Sequence, residues 1–376
     1  MVIRRLQYRQ ETWPKVLTTT IRMIRNTENW RRNVTFSPRR TAQTEKPEVH
    51  QRQTLTRNGA EDSGSGGSSV NLELWNSHRV ALDRRCTTPS TFSIVAWDAR
   101  NGDLGVAVES KFIAVGALVP WARAKVGAIA TQAWANVSYG PDGLKMLEEG
   151  LSASETLQQL LAHDPRPERR QVAVLDAKGA VAVHTGSECM EWAGHVTGAG
   201  YSCQGNILAS SNVVESMARA YEETSGDLVE KLLEALSAGQ SAGGDRRGQQ
   251  SAALLIVRDK GGYEGLTDKY VDLRVDDHSR PVEELKRIFR IYDMTMLSRE
   301  DPKQLLTIDH SIAAVLQTDL KKLGMYDGSI TGTLDDPTKK ALREFINVNN
   351  FENKMRDDGR IWKSIVDYID DLARKA

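Results

Sequence analysis

Thr91 is the residue whose type and position first suggest chemistry. It opens a run of β-branched and aromatic residues, TFSIVAWD, so the sequence predicts a strand that begins with a hydroxyl side chain. A threonine hydroxyl is a weak nucleophile at neutral pH. A free α-amine on the same residue, with a pKa of about 8, is well matched to act as its base. The pattern therefore favours an N-terminal nucleophile, and the competing interpretation is a β-forming residue at a strand edge.

The segments that would position Thr91 are predicted to be strands and paired helices. The pair Asn101-Gly102 predicts a two-residue hairpin turn into a second strand, LGVAVESKF. A third run, KVGAIATQA, ends in the polar segment WANVSYG, and Ser152-x-x-Glu155 predicts a capped helix. Later strands are SAALLIVRD and YVDLRVD. Two strand groups separated by paired helices predict sheets sandwiched between helical layers.

Charge and composition exclude several function classes. The chain has 50 basic and 50 acidic residues, so no net field favours nucleic acid or an anionic membrane. The absence of a run of eighteen apolar residues predicts no membrane span. Three cysteines, at positions 86, 189 and 203, lack metal-ligand spacing and predict buried thiols. We expect neither a metal nor another cofactor, and a cytoplasmic location is favoured because no secretory signal is seen.

Residues 1–90 differ in composition from the rest. Residues 1–58 contain 13 basic and four acidic residues, and the flexible sequence GAEDSGSGGSS follows. An Arg-rich, acid-poor segment is typical of an organelle transit peptide. We favour a disordered extension instead, because the apolar pattern is too sparse to offset the entropy of ordering.

Seven segments of residues 91–297 carry a resemblance to a known family. They are TFSIVAWD, ESKFIAVGALVPWA, GAIATQAWANVSYG, ECMEWAGH, QGNIL, AGGDRRGQQSAALLIV and DLRVDDH. In this order they resemble the domain-of-unknown-function 1028 family, which is placed in the N-terminal-nucleophile (Ntn) hydrolase superfamily. The resemblance implies an α+β fold, a four-layer αββα sandwich, with Thr91 as nucleophile. It implies no substrate.

Two lysines compete for a role beside that nucleophile, where a positive charge would lower the pKa values of the amine and the hydroxyl. Lys111 lies in the ESKF turn that resembles the family most closely. Lys125 lies on the third predicted strand, 34 residues after Thr91, a spacing similar to that of the catalytic lysine in proteasome-type subunits. We favour Lys111. An exposed surface lysine is the alternative for both.

Oxyanion donors are predicted at the end of the third strand. The backbone N–H groups around Thr131-Gln132, or the Asn136 amide, would stabilise a tetrahedral intermediate. Asn136 is equally suited to a turn or a helix cap before the Gly140-Pro141 break.

The segment 243–251, GGDRRGQQS, joins a predicted helix to a predicted strand. As in proteasome-type relatives, its acid and hydroxyl, Asp245 and Ser251, would orient the α-amine. Arg246 and Arg247 are either clamps for a substrate carboxylate or a solvated loop. Asn206, in QGNIL, is a further supporting candidate on the substrate side.

The C-terminal segment 315–345 resembles the peptidoglycan-binding repeat, a small three-helix module. Leu316, Leu320 and Leu323 line one face of a predicted helix, and Asp336-Pro337-Thr338 begins the next. We expect a small all-α domain over residues 307–376, with Leu320 and Phe345 in its core, after a polar linker at 298–306.

Together these features predict an amidohydrolase joined to a wall-binding module. Thr91 would attack an amide carbonyl, its amine would carry the proton, and water would resolve the acyl-enzyme. The expected partners are a small amide or peptide substrate, for which a cell-wall peptide is one candidate, and peptidoglycan. A homo-oligomer is a further candidate. The alternative is a non-catalytic wall-binding or assembly protein that keeps the sandwich but cannot expose an amine at Thr91. Cleavage of the Ser90–Thr91 bond discriminates between the two.

Overall fold

The computed structural model describes residues 91–376, so the predicted disorder of residues 1–90 lies outside the described part. The strands are β1 Thr91–Asp98, β2 Asp103–Ser110, β3 Pro120–Arg123, β4 Gly127–Ala133, β5 Arg170–Asp176, β6 Val181–Thr185, β7 Gly194–Gly198, β8 Tyr201–Asn206, β9 Ser251–Val257, β10 Lys269–Val275, β11 Leu305–Thr307 and β12 Arg360–Trp362. The helices are α1 Tyr139–Glu148, α2 Ala153–Ala162, α3 Asn212–Glu223, α4 Leu228–Ser241, α5 Pro281–Met296, α6 His310–Lys322, α7 Asp336–Val348 and α8 Lys363–Ala373. The predicted mixture of antiparallel sheets and helices, with a helical C-terminal region, is confirmed.

The larger sheet places β1 near its centre. Its six strands run in the order β10-β9-β2-β1-β8-β7, and each neighbouring pair is antiparallel. Side chains alternate between the two faces of β1. Phe92 and Ile94 pack with α3, α4 and α5 on one face, whereas Val95 packs against the second sheet. This alternation places the side chain of Thr91 on the face that looks toward the second sheet.

The turn between β1 and β2 differs from the predicted two-residue hairpin. Asp98 pairs with Asp103, so four residues form the loop. The Asp98 carboxylate accepts the N–H of Arg100 at 3.0 Å, and the Asn101 side chain accepts the N–H of Asp103 at 3.0 Å. These two side-chain bonds stabilise the wider turn. Gly102, with φ at 79°, supplies the left-handed residue.

The second sheet has four antiparallel strands in the order β3-β4-β5-β6. Ile129 and Val172 pack on its outer face with residues of α1 and α2. The predicted cap of α2 is confirmed, since Ser152 and Glu155 form a reciprocal capping box. On the inner face, Ala130 joins Val95 in one buried cluster, so the two sheets pack face to face.

The C-terminal helices enclose a separate cluster. Leu320 and Phe345 are buried in it, as predicted. The end of the expected linker belongs to this region, because Leu305–Thr307 pairs with β12. The buried Lys354 ammonium donates to the Leu297 carbonyl and forms an ion pair with Glu300, which ties the region to the end of α5. None of the helices in residues 91–376 has the length and apolar content needed to cross a bilayer.

Candidate active site at the start of β1

Four polar side chains form a row across the larger sheet at the end where β1 begins. Thr91 pairs with Ser110 of β2 on one side and with Asn206 of β8 on the other, and Ser110 pairs with Ser251 of β9. Directly paired residues of antiparallel strands project from the same face. The row therefore brings together three residues predicted from the sequence, Thr91, Asn206 and Ser251, and adds Ser110.

One contact in the row joins two hydroxyls. Thr91 Oγ1 lies 3.2 Å from Ser110 Oγ, within hydrogen-bonding distance, and either oxygen can donate. Thr91, Ser110, Ser251 and Asn206 are all buried. A neighbouring hydroxyl of this kind can orient the Thr91 hydroxyl and accept or pass on its proton.

A hydrogen-bonded layer of amides lies beneath the row, between the two sheets. Ser93 donates to the Gln132 side chain at 2.7 Å and accepts from the Gln204 side chain at 2.7 Å. Gln132 donates in turn to Gln171 at 2.8 Å, and Asn206 donates to the same Gln171 oxygen at 3.1 Å. Buried amides that satisfy one another hold a rigid arrangement at low cost. The layer connects both sheets under Thr91.

Lys111, the residue that follows the end of β2, is hydrogen-bonded to Asp245. The Lys111 backbone N–H donates to the Asp245 carboxylate at 2.8 Å, and Arg247 pairs with the same carboxylate at 3.1 Å. The Lys111 ammonium donates to the Gln249 carbonyl at 3.1 Å. Asp245 thus fixes the end of β2 and the 243–251 loop. Arg246 is exposed and its backbone N–H donates to the Ile207 carbonyl at 3.1 Å, which keeps it at this end of the sheet.

Ser251 and Asn136 have other partners than those predicted. The Ser251 hydroxyl donates to the Phe112 carbonyl and accepts the Val115 N–H at 3.0 Å, so it holds the turn after β2. The Asn136 amide donates to Asp164 at 3.0 Å, and its oxygen accepts the Ser138 N–H at 3.2 Å. Asn136 also lines a cavity of about 370 Å³ between α1 and α2. Among the hydrogen bonds of residues 91–376, none joins Asn136 to Thr91.

The expected strand position of Lys125 is wrong. Lys125 lies in the turn between β3 and β4, with φ at 62°, and pairs with the exposed Asp259 at 2.6 Å. This turn is at the end of β4 that begins with Gly127. Gln132, which lies beside Thr91, is five residues further along the strand, or roughly 17 Å, so Lys125 is far from Thr91. The Thr131 N–H donates to the Val119 carbonyl at 3.2 Å, so it is engaged within the fold.

Glu109 is a buried acid that sequence reasoning missed. It pairs with Phe92, so its side chain projects from the face opposite to Thr91. It has no exposed surface, and within residues 91–376 neither carboxylate oxygen has a hydrogen-bond partner. Burial, and then the charge of Asp245, raise the pKa of Glu109 well above its usual value. The sequence did not predict this burial, because a single glutamate among the valines of a strand is normally expected to face solvent.

Family comparison decides the classification of this region. A family model described as a family of unknown function, DUF1028, matches residues 91–285, which is more than half of the chain. The chain belongs to the DUF1028 family. A second model, described as "Putative peptidoglycan binding domain", matches residues 295–369. The chain therefore joins a DUF1028 region to a peptidoglycan-binding-like domain.

Solved structures agree with this assignment. The DUF1028 crystal structure of a protein from Silicibacter pomeroyi is similar, with 29% identity and a TM-score of 0.50. The similarity covers 54% of this chain and 89% of the Silicibacter protein. A search of curated proteins found no match.

Proposed function

We propose that this protein is an N-terminal-nucleophile amidohydrolase, activated by cleavage of the Ser90–Thr91 bond and held at peptidoglycan by its C-terminal domain. The observation that carries the proposal is the Thr91–Ser110 contact of 3.2 Å at the buried start of a central strand. The start of the DUF1028 match at residue 91 adds support. So does the packing of helices on the outer faces of two stacked sheets, which is the arrangement expected of the four-layer Ntn sandwich.

The proposed reaction has two stages. Thr91 Oγ forms a bond to the amide carbon, and the hydroxyl proton passes to the free α-amine, directly or through Ser110. The C–N bond of the tetrahedral intermediate then breaks, and the leaving amine takes that proton. Water next adds to the ester carbon, gives one proton back to Thr91 Oγ and releases the carboxylic acid.

Access to Thr91 explains why cleavage is part of the proposal. Thr91 has no exposed surface in the full-length chain. Its nitrogen is also an amide, which cannot act as a base at neutral pH. Cutting the Ser90–Thr91 bond converts that amide nitrogen into a free amine. Hydrolysis therefore requires a chain that begins at Thr91.

The supporting residues have separate roles in this proposal. Lys111, exposed at the end of β2, supplies positive charge near the nucleophile, and Asp245 fixes the Lys111 backbone. Asn206 lies directly opposite Thr91 on β8, where its amide donates to Gln171. Ser251 acts indirectly, by holding the 112–115 turn. Arg246 and Arg247 are the candidates for a substrate carboxylate.

The test compares three versions of one protein. A specific protease sequence is placed immediately before residue 91, so the same preparation is measured before and after cutting. A panel of amides should be hydrolysed after cutting only, and Thr91→Ala should abolish hydrolysis while Thr91→Ser retains part of it. Equal hydrolysis by the Thr91→Ala protein would refute the proposal. Retention of the C-terminal region on purified peptidoglycan tests the attachment separately.

A second candidate function is wall attachment without catalysis. It is favoured by one observation, that the Lys111 ammonium bonds to the Gln249 carbonyl while Thr91 contacts a hydroxyl rather than a cation. In that case the protein binds peptidoglycan, and neither the cut nor the uncut chain hydrolyses any amide in the panel.

A further inference from the structure

Four large apolar side chains are exposed at the Thr91 end of the sandwich. They come from three different loops and have exposed fractions of 56% for Ile113, 40% for Trp134, 44% for Val137 and 38% for Met190. We call these four residues the apolar rim. Exposed apolar side chains grouped at one end of a domain mark a binding surface more often than scattered ones do.

Strand pairing places each rim loop beside Thr91. Ile113 lies three residues after Ser110, the partner of Thr91 on β2. Trp134 and Val137 follow β4 just after Gln132, whose side-chain nitrogen is 3.4 Å from the Thr91 carbonyl. The Met190 carbonyl accepts the N–H of Ile207, which follows the β8 partner of Thr91.

The loop that carries Trp134 is held in place by an ion pair and hydrogen bonds. The Arg170 guanidinium donates to the Trp134 carbonyl and pairs with the buried Asp164 carboxylate at 2.8 Å. The same carboxylate accepts the Asn136 amide at 3.0 Å and the Tyr139 hydroxyl at 2.9 Å. These charge-assisted bonds lower the pKa of Asp164, the Arg170 bond most of all. A loop fixed in this way presents its tryptophan in one position, as a preorganised binding site requires.

Positive charge lies next to the rim. Lys111 is exposed just after β2, Arg246 is exposed beside Ile207 just after β8, and neither forms an ion pair with a carboxylate of residues 91–376. The nearest acid in the loop, Asp245, is buried and bound to Arg247. Arg246 and Met190 both bond to Ile207, and Ile113 lies two residues after Lys111, so a ligand at this end meets apolar and cationic groups next to each other.

We propose that the substrate is an N-acylated amino acid or short peptide with an apolar acyl chain. The chain lies on the apolar rim, the carboxylate lies against Lys111 and Arg246, and the amide carbon lies at Thr91. This inference rests on the proposed function, because it takes the scissile bond to be at Thr91. It separates the substrate from polar wall peptides, which leave the rim unused.

Binding is measured on a Thr91→Ala chain, so that hydrolysis does not interfere. The full-length protein with a cleavable sequence before residue 91 is cut and titrated calorimetrically with N-octanoylalanine and N-acetylalanine. The octanoyl compound should bind at least roughly tenfold tighter, since each fully buried methylene contributes about fourfold. Trp134→Gln should remove most of that difference, and Arg246→Ala should weaken both compounds alike. Leu266→Gln, at an exposed apolar position on the β9–β10 connection at the far end, is the matched control and should change neither.

Equal affinity for the two compounds, or equal effects of Trp134→Gln and Leu266→Gln, would overturn the inference. So would self-association of the cut chain that Trp134→Gln abolishes without any effect on ligand binding, which would make the rim an interface between copies. The two proposals fail separately. If the octanoyl compound binds tightly but the cut chain that retains Thr91 does not hydrolyse it, only the amidohydrolase proposal is rejected. If the cut chain hydrolyses short amides and Trp134→Gln does not change the rate, only the acyl-chain inference is rejected.

Discussion

Thr91 Oγ1 and Ser110 Oγ lie 3.2 Å apart, on neighbouring central strands and facing the second sheet. If Thr91 is the nucleophile, Ser110 orients its hydroxyl. Ser110→Ala in the cut chain should lower kcat roughly tenfold or more, in line with the loss of one positioned proton-transfer group. The loss of one buried hydrogen bond should lower Tm by only about 2–4 °C. Steady-state kinetics and thermal melts on the same samples measure both effects.

Ser202→Ala is the matched control for that variant. Ser202 is a buried serine on β8 whose hydroxyl donates to Gln204 at 2.7 Å, and it has no contact with Thr91 within residues 91–376. It should lower Tm by a similar amount and leave kcat unchanged. If the two serine variants have the same kcat, Ser110 is a structural residue.

Ser93, at the centre of the amide layer, should be a position where substitution lowers stability strongly. Ser93→Ala removes the partner of both Gln132 and Gln204. Because each buried amide group left unpaired costs about 1–3 kcal/mol, the free energy of unfolding should fall by about 2–4 kcal/mol. Urea unfolding of this variant and of Ser216→Ala, at a half-buried helix position outside the amide layer, measures the difference. A loss under about 0.5 kcal/mol for Ser93→Ala would show that the layer rearranges without cost.

Glu109 predicts a pH dependence with a definite sign. Its pKa is raised in the folded protein, so above the unfolded value of about 4.3 the unfolded chain loses a proton that the folded chain keeps. Wild-type stability should therefore fall as pH rises from about 4.3 toward the folded pKa. The Glu109→Gln variant should lack this pH dependence. At pH 8 its free energy of unfolding should be about 1–3 kcal/mol higher than that of the wild type.

Denaturant unfolding from pH 4 to pH 8 measures the Glu109 effect. Glu264→Gln, an exposed position in the connection after β9, serves as control and should follow the wild-type curve. A Glu109→Gln curve parallel to wild type over that range would mean that Glu109 has a partner in solution.

Two positions on α7 should differ strongly in the stability that is lost when each is changed to alanine. Phe345 is buried and Val348 is 68% exposed, both on α7. Phe345→Ala should cost about 3–5 kcal/mol, and Val348→Ala should cost less than about 0.5 kcal/mol. Differential scanning calorimetry of the full chain measures each shift. If the two variants shift Tm equally, Phe345 is not part of the C-terminal core.

Periodic and local signals in the sequence predicted much of this fold. The capping box at Ser152 and the buried Leu320 and Phe345 depend on neighbours within a few residues or on helical spacing, and they are confirmed. The β1–β2 register was not predictable in the same way. A two-residue turn at Asn101-Gly102 would have paired Thr91 with Phe112, whereas side-chain bonds in the four-residue loop shift the partner to Ser110.

Site residues were predicted unevenly for the same physical reason. Asn206 and Ser251 share a row with Thr91 because strand pairing, which spans more than a hundred residues, brings them there. The expected strand position of Lys125 was wrong because β3 ends at Arg123 and Lys125 is itself the left-handed residue of the turn at the far end of the sheet. The amide network of Gln132, Gln171 and Gln204 had no sequence signal, since a strand glutamine looks the same whether it faces solvent or another sheet.

The most direct test of the central claim follows the Ser90–Thr91 bond and hydrolysis together. Protein isolated from its native source is examined by intact-mass analysis, and the hydrolysis of an amide is measured on the separated species. A chain that begins at Thr91 should be present, and the turnover of each fraction should rise in proportion to its content of that chain. Undiminished hydrolysis by chains that still carry residues 1–90, or none by chains that begin at Thr91, would contradict the account.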